Sequence, residues 1–228
     1  MRVVEIFNSK QGEGLWTGVL SAFVRTTGCN LRCSFCDTTY ASWRREEGED
    51  LSVEEIVGRV LLYNCRHVVL TGGEPMMYSE LIPLTQALAE RELTITIETA
   101  GTLDLPVVCD LMSISPQLSN STPRGALDSA VRLHETNRDR PEVVRRLIDR
   151  YPYQLKFVVD EPEDLVEIEE YLERLGDVRA DRVLLMPMAI DVATMREKAE
   201  WITAYAGPRG YRYCPRMQLV WYGNRRGA

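Results

Sequence analysis

Histidine is nearly missing from this sequence: only His67 and His134 occur in 228 residues. Imidazole is the usual proton carrier near neutral pH, so histidine acid–base chemistry is disfavoured, and both residues read as ordinary strand and loop positions. Aromatic residues are also few, at 8%, and short aromatic pieces such as YRYC read as core. Basic residues are outnumbered 27 to 34, which leaves a net charge of −7. Binding nucleic-acid phosphates requires clustered Lys and Arg, and the best basic run, the terminal NRRGA, is too short to supply them. Long apolar runs are lacking too. The opening MRVVEIFNSK has one charge and then a short alternating run, too brief for a signal-peptide core, which implies the cytoplasm. With 45% hydrophobic and 27% charged residues, the chain has the profile of a soluble globular protein with no membrane association.

What the sequence does contain is an unusual grouping of thiols. Three of its six cysteines, Cys29, Cys33 and Cys36, fall within the eight residues CNLRCSFC. A reducing compartment disfavours disulfides, so clustered cysteines point to metal or catalysis. Thiolates on one short loop can converge on one face of a metal centre, and soft ligands of this kind select zinc or iron–sulfur. A structural zinc site needs a fourth ligand, usually from a second cysteine pair. The nearest candidates, Cys65 and His67, lie in a predicted helix end and strand. A cubane held by three cysteines instead leaves one iron open for a substrate or cofactor. Cys65, Cys109 and Cys214 read as buried thiols.

Along the chain, β-branched runs alternate with segments of helical period. Strands are predicted at 19–27, 67–71, 93–98, 107–115, 153–160 and 181–187. Helices are predicted at 52–64, 79–92, in PEVVRRLIDRY, in EDLVEIEEYLERLG ending at Gly176, and at 192–207 with its own terminal glycine. Such alternation means a parallel sheet with crossover helices in a single domain spanning 1–228. About six units fit, fewer than a closed barrel needs, so an α/β open partial (β/α)6-type barrel is expected, with a doubly wound sheet as the alternative. CNLRCSFC, TGGEP, ETAGT, SPQ and MPM each follow a predicted strand. In a parallel sheet these positions share the carboxyl edge, where α/β proteins build their sites, so one active site is implied.

The x3–x2 cysteine spacing, with Phe35 just before the last cysteine, resembles the radical S-adenosylmethionine (SAM) superfamily, and the partial barrel is of the radical SAM kind. The resemblance implies a 4Fe–4S cluster on Cys29, Cys33 and Cys36. It also implies SAM bound at the open iron, and a 5′-deoxyadenosyl radical that abstracts a substrate hydrogen. In TGGEP, Gly73 and Glu74 would receive the SAM amino group. Phe35, Cys36 and Asp37 would add cofactor contacts, as would Ser115, Pro116 and Gln117 of SPQ. Glu98, at the end of LTITIE, is a candidate for the SAM ribose or else an exposed edge carboxylate.

FNSKQGEG, FVRTTGCNLRCSFCDTTY, TGGEP, SPQ and the closing WYGNRRGA together resemble the 7-carboxy-7-deazaguanine synthase family across nearly the whole chain. That family converts 6-carboxy-5,6,7,8-tetrahydropterin to 7-carboxy-7-deazaguanine, with loss of ammonia, on the route to queuosine-type deazapurines. By this likeness Lys10, Gln11, Gly12, Glu13, Arg25 and Thr71 hold the pterin, and Thr38 ligates a magnesium ion. A homodimer and a flavodoxin- or ferredoxin-like electron donor are implied as well. Gln117 stands where the family carries Lys, and Gln218 where relatives often carry His. Two other classes remain in view: an activating enzyme for a glycyl-radical partner, against which QGEG and CDT stand, and a zinc-stabilised binding module without catalysis.

Overall fold

Alternation within the strands decides which way each side chain points. In the computed structural model, which describes residues 1–223 and 225–227, nine strands form one sheet. They are β1 (Arg2–Lys10), β2 (Leu20–Thr26), β3 (Glu49–Asp50), β4 (His67–Gly72), β5 (Thr94–Thr99), β6 (Leu111–Ile114), β7 (Tyr153–Val159), β8 (Val183–Pro187) and β9 (Arg212–Tyr213). The order is β3-β1-β2-β4-β5-β6-β7-β8-β9. All neighbours from β2 to β9 are parallel, and β1 runs antiparallel to both β2 and β3. The six long parallel strands make the expected open partial barrel, with β3 and β9 as its unjoined edges among the described residues. Asn224 and Ala228, both in the closing WYGNRRGA stretch, lie outside the described residues.

The helices are α1 (Thr39–Ser42), α2 (Val53–Leu61), α3 (Leu81–Ala89), α4 (Asp128–Arg138), α5 (Pro141–Arg150), α6 (Asp164–Leu175), α7 (Val192–Arg209) and α8 (Met217–Tyr222). Residues Ile95, Ile97, Leu155, Phe157 and Leu185 point outward and pack in one core with Ile56, Leu84, Leu88, Leu147, Ile168 and Ile202 of the helices. Each such fully buried side chain stabilises the fold by about 1.5–3 kcal/mol relative to exposure. The inner face of the sheet carries Arg25, Thr71, Glu98, Ser113 and Lys156, which with Ser115 just past β6 line a cavity. The barrel is therefore apolar outside, under its helices, and polar within.

Helix ends follow local chemistry. Ser52 and Glu55 form a reciprocal capping box at α2, and Asp191 caps α7 through the Thr194 amide. Gly176 ends α6 as predicted. The helix predicted to stop at Gly207 continues through Gly207 and Pro208 and ends at Gly210, whose φ of 73° suits glycine and returns its amide to Ala206 and Gly207. Pro208 has no N–H for the Ala204 carbonyl, so the last turn forgoes one helical bond two residues before the helix ends. The predicted strand 107–115 shortens to Leu111–Ile114, because Asp110 diverts the approach: its side chain accepts from the Ile95 amide, and its own amide donates to Ile95.

Candidate active site

The five segments that follow strands gather at the carboxyl rim, around a cavity of about 750 Å³. The cysteine loop rests directly on TGGEP. Glu74 N–H donates to the Gly28 carbonyl at 2.9 Å, and Gly73 N–H donates to the Thr26 carbonyl at 3.2 Å. A Cβ on Gly73 would lie 2.0 Å from the Gly28 oxygen, so only glycine lets these two turns touch.

Cys29, Cys33 and Cys36 are unpaired and border the cavity. Burial, the Glu74 carboxylate and the Cys36 sulfur together push the Cys29 thiol up to about 12, and burial with the two neighbouring sulfurs pushes the Cys33 thiol up as well. Half-buried thiols held this close fit a group supplying positive charge, as the irons of a cluster do. Among the described residues no three His, Cys, Asp or Glu side chains assemble a cage for a single metal ion. Cysteine thiolates are the ligands an iron–sulfur cubane takes, so the donor set on this loop fits one.

Glu74 corrects the expectation for TGGEP. Its side chain is fully buried, and its oxygens accept from Thr99 Oγ1 at 2.8 and 2.9 Å, from Ala100 N–H at 2.8 Å and from Met76 N–H at 3.0 Å. Burial raises its pKa. With those oxygens occupied, Glu74 pins the turn to the end of β5 and does not reach the cavity, which Gly73 does border. Pro116 is likewise buried behind the rim, whereas Ser115 and Gln117 line the cavity.

The QGEG segment departs from the single-edge picture. Because β1 is antiparallel to β2, Lys10 pairs with Leu20, at the amino end of the barrel. From there the connecting loop enters the barrel. Leu15 N–H donates to Gln154 Oε1 at 2.8 Å near the start of β7, and the Trp16 ring lies tilted against His67, 5.4 Å between centroids. Gln11 and Glu13 reach higher. Gln11 Nε2 donates to Glu98 at 3.0 Å, and Thr71 Oγ1 donates to the other Glu98 oxygen at 2.7 Å. Glu98, expected at the ribose or at an edge, therefore groups with Gln11 and Thr71, two residues expected at the pterin. Gly12 lies against Gln218, whose side chain occupies the place of a Cβ, and its carbonyl accepts from Met217 N–H at 2.9 Å.

Glu13 joins a buried charge network absent from the sequence reading. Lys156 Nζ donates to it at 2.5 Å, Arg216 Nε at 3.1 Å and Gln218 Nε2 at 2.7 Å. Burial opposes ionisation of Glu13, but Lys156 and Arg216 override it and hold the carboxyl well below the usual range. Arg216 also donates to Asp37 Oδ2 at 2.5 Å and to the Ala189 carbonyl. One guanidinium thus ties the QGEG loop, the cysteine loop and the end of β8 together. The YQLKFVVD alternation already puts Gln154 and Lys156 on the face opposite Leu155 and Phe157. Arg216 lies in an irregular stretch with no periodic signal.

Arg25 uses Nε to bind Glu5 at 2.7 Å and lies 5.7 Å from the Phe7 ring. Its terminal nitrogens have no hydrogen bond to a described residue. Lys10 sits 5.6 Å from the Trp221 ring. Thr38 heads α1 without capping it, and its hydroxyl has only a 3.8 Å contact with Cys36 Sγ. Phe35, Asp37 and Thr38 all border the cavity. His67 is buried, its nitrogens bonded to Ser21 at 2.7 Å and Thr96 at 2.8 Å. His134, read as a loop residue, lies buried on α4.

An open parallel barrel with three thiols on the loop after its first parallel strand defines a radical SAM enzyme, and the Radical SAM superfamily model matches residues 23–121. A 7-carboxy-7-deazaguanine synthase of Rhodopirellula baltica is 44% identical over 99% of this chain and 88% of its own length. One of Halobacterium salinarum is 39% identical over 95% and 88%. The crystal structure of QueE from Escherichia coli superposes with a TM-score of 0.69 at 25% identity, covering 95% of this chain and 93% of that one. The chain belongs to the 7-carboxy-7-deazaguanine synthase family, and its class is that of a radical SAM lyase of queuosine biosynthesis. Neither a glycyl-radical activating enzyme nor a zinc-stabilised module is favoured by these relatives.

Proposed function

We propose that this chain converts 6-carboxy-5,6,7,8-tetrahydropterin to 7-carboxy-7-deazaguanine inside the barrel, and that its two loop systems divide the work. The carrying observation is that one cavity holds the three-thiol loop at its rim and the Gln11–Glu13–Thr71–Glu98 set on its inner walls. Cys29, Cys33 and Cys36 hold the 4Fe–4S cluster. The Gly73 backbone, Phe35, Asp37, Ser115 and Gln117 would hold SAM. Together the cluster and SAM supply a radical able to take hydrogen from an unactivated carbon.

The chain's own part is placement. Glu13 is kept ionised by Lys156 and Arg216, so it accepts hydrogen bonds and matches the N–H edge of a pterin. Gln11, Thr71 and Glu98 add donors and acceptors beside it, while Lys10 and Gly12 close the floor. The free terminal nitrogens of Arg25 suit the 6-carboxylate, since a guanidinium grips a carboxylate bidentately. Substrate and product differ by one ammonia, so the reaction needs no net oxidant.

Thr38 is the proposed magnesium ligand. Its hydroxyl is uncommitted, and magnesium takes few protein oxygens beside waters and substrate. A flavodoxin- or ferredoxin-like protein serves as electron donor, and two chains associate as a homodimer. Six unpaired cysteines and an oxygen-sensitive cluster fit the reducing cytoplasm. Among the described residues no helix is long and apolar enough to cross a membrane.

The test is anaerobic reconstitution with iron and sulfide, followed by SAM, a reductant and the carboxypterin. Product lighter than the substrate by one ammonia, with ammonia released in equal amount, is expected. Cleavage of SAM without consumption of the pterin would overturn the assignment of substrate.

A further inference from the structure

The cysteine loop has no regular secondary structure from 29 to 36, so several of its backbone groups depend on partners elsewhere. Helix α4 provides two of them. Arg32 N–H, between the first two cysteines, donates to His134 Nδ1 at 3.1 Å. Asn137 Nδ2 donates to the Asn30 carbonyl at 3.1 Å. On the other side of the imidazole, Nε2 lies 2.9 Å from Ser121 Oγ, while the Ser121 carbonyl accepts from Ser34 N–H at 2.8 Å, just past Cys33. His134 therefore joins both halves of the loop, directly at Arg32 and through Ser121 at Ser34.

The hydrogen-bond directions are fixed by elimination. Ser121 Oγ gives its proton to the Leu118 carbonyl at 2.5 Å, so it must accept from Nε2–H. That leaves the Nδ1 lone pair for Arg32 N–H. Only the neutral imidazole with its proton on Nε2 satisfies both neighbours. His134 is the sole buried residue of the helix carrying it, whose Ala130, Val131 and Leu133 stay partly or fully exposed.

We propose that His134 is a positioning residue for the iron–sulfur cluster, holding the Cys29–Cys36 loop in the conformation that presents its thiols to one centre. The proposal rests on the assignment of those cysteines as ligands. Groups that orient the ligands of a metal centre change its retention by roughly 10–100-fold when removed, and the same is expected here. Asparagine tests the geometry, since its Oδ1 can take the place of Nδ1 as acceptor, whereas leucine fills the space and cannot accept.

The experiment measures, anaerobically, iron and sulfide per chain and the rate of cluster loss to an iron chelator. It also records the electron paramagnetic resonance spectrum of the reduced cluster. His134→Leu should lose the cluster at least about tenfold faster and broaden the spectrum, and His134→Asn should recover most of both. His67→Leu, at a buried histidine on the far side of the barrel, serves as the stability control and should release at the wild-type rate. The proposal is overturned if His134→Leu retains the cluster like wild type, or if both leucine variants release it equally fast. Should His134→Leu not fold, Ser121→Ala decides: a several-fold faster release supports the brace and an unchanged rate overturns it. A wild-type protein that takes up no cluster would instead overturn the ligand assignment beneath both.

Discussion

Arg25 shows how one side chain is prepared for a ligand. Its Nε is fixed by Glu5, and Glu5 is in turn held by Tyr40 at 2.8 Å, so the fork is oriented before substrate arrives. Burial works against the Arg25 cation, but the Glu5 carboxylate beside it keeps it charged. Arg25→Ala should leave cluster content intact and raise KM by about 10–100-fold, the worth of a charge-assisted hydrogen bond of about 1.5–3 kcal/mol. Arg25→Lys, with charge but no fork, should fall between. His67 gives a second prediction at this scale. Burial lowers its pKa to about 4, so between that value and the ordinary 6.5 the unfolded chain binds a proton that the folded chain does not. Stability must then fall as pH drops through that window, by roughly 3 kcal/mol at most. Urea unfolding from pH 7 to pH 4 should show this acid slope, and His67→Gln should flatten it.

Among the elements, the contact between the cysteine loop and TGGEP has the least room. Gly73→Ala would set a methyl 2.0 Å from the Gly28 oxygen, a backbone atom that cannot swing aside, so one turn has to move. Iron content after reconstitution should drop several-fold while the apo-protein keeps its circular dichroism. Most elements were legible in the sequence, because β-branched runs and caps such as Ser52 carry their own signals. Strands β1, β3 and β9 and helices α1, α4 and α8 were not. Residues 2–10 pair antiparallel, outside the βα alternation, and α4 buries only His134, so it shows no apolar stripe. The site was legible where motif residues follow strands. It was misread at Glu74, whose burial depends on Thr99 and Ala100, and it gave no sign of the path of QGEG, which follows from the direction of β1.

For the molecule as a whole, the buried network around Glu13 is the joint between the floor and the rim. Lys156 on β7, Arg216 before α8 and Asp37 beside the cluster loop meet through it. Lys156→Met would leave Glu13 buried with one cation fewer, and breaking a buried pair costs about 3–5 kcal/mol. The thermal midpoint should fall and KM for the pterin should rise, while the cluster still assembles on its own loop. The Glu13 carboxyl is held below its unfolded value, so this stabilisation is complete above the usual carboxylate range and is lost only as pH falls below it. Neutral-pH assays will not perturb it.

The central claim is that the radical formed at the three-thiol loop takes hydrogen from a pterin held by the inner walls of this barrel. Carboxytetrahydropterin carrying deuterium on its ring carbons, incubated with the reconstituted enzyme, SAM and reductant, tests this most directly. The account predicts deuterium in the recovered 5′-deoxyadenosyl group, either as 5′-deoxyadenosine or as re-formed SAM, together with 7-carboxy-7-deazaguanine. It also predicts neither in Cys33→Ala. Product formed with no deuterium in that group, or by Cys33→Ala at the wild-type rate, would contradict it.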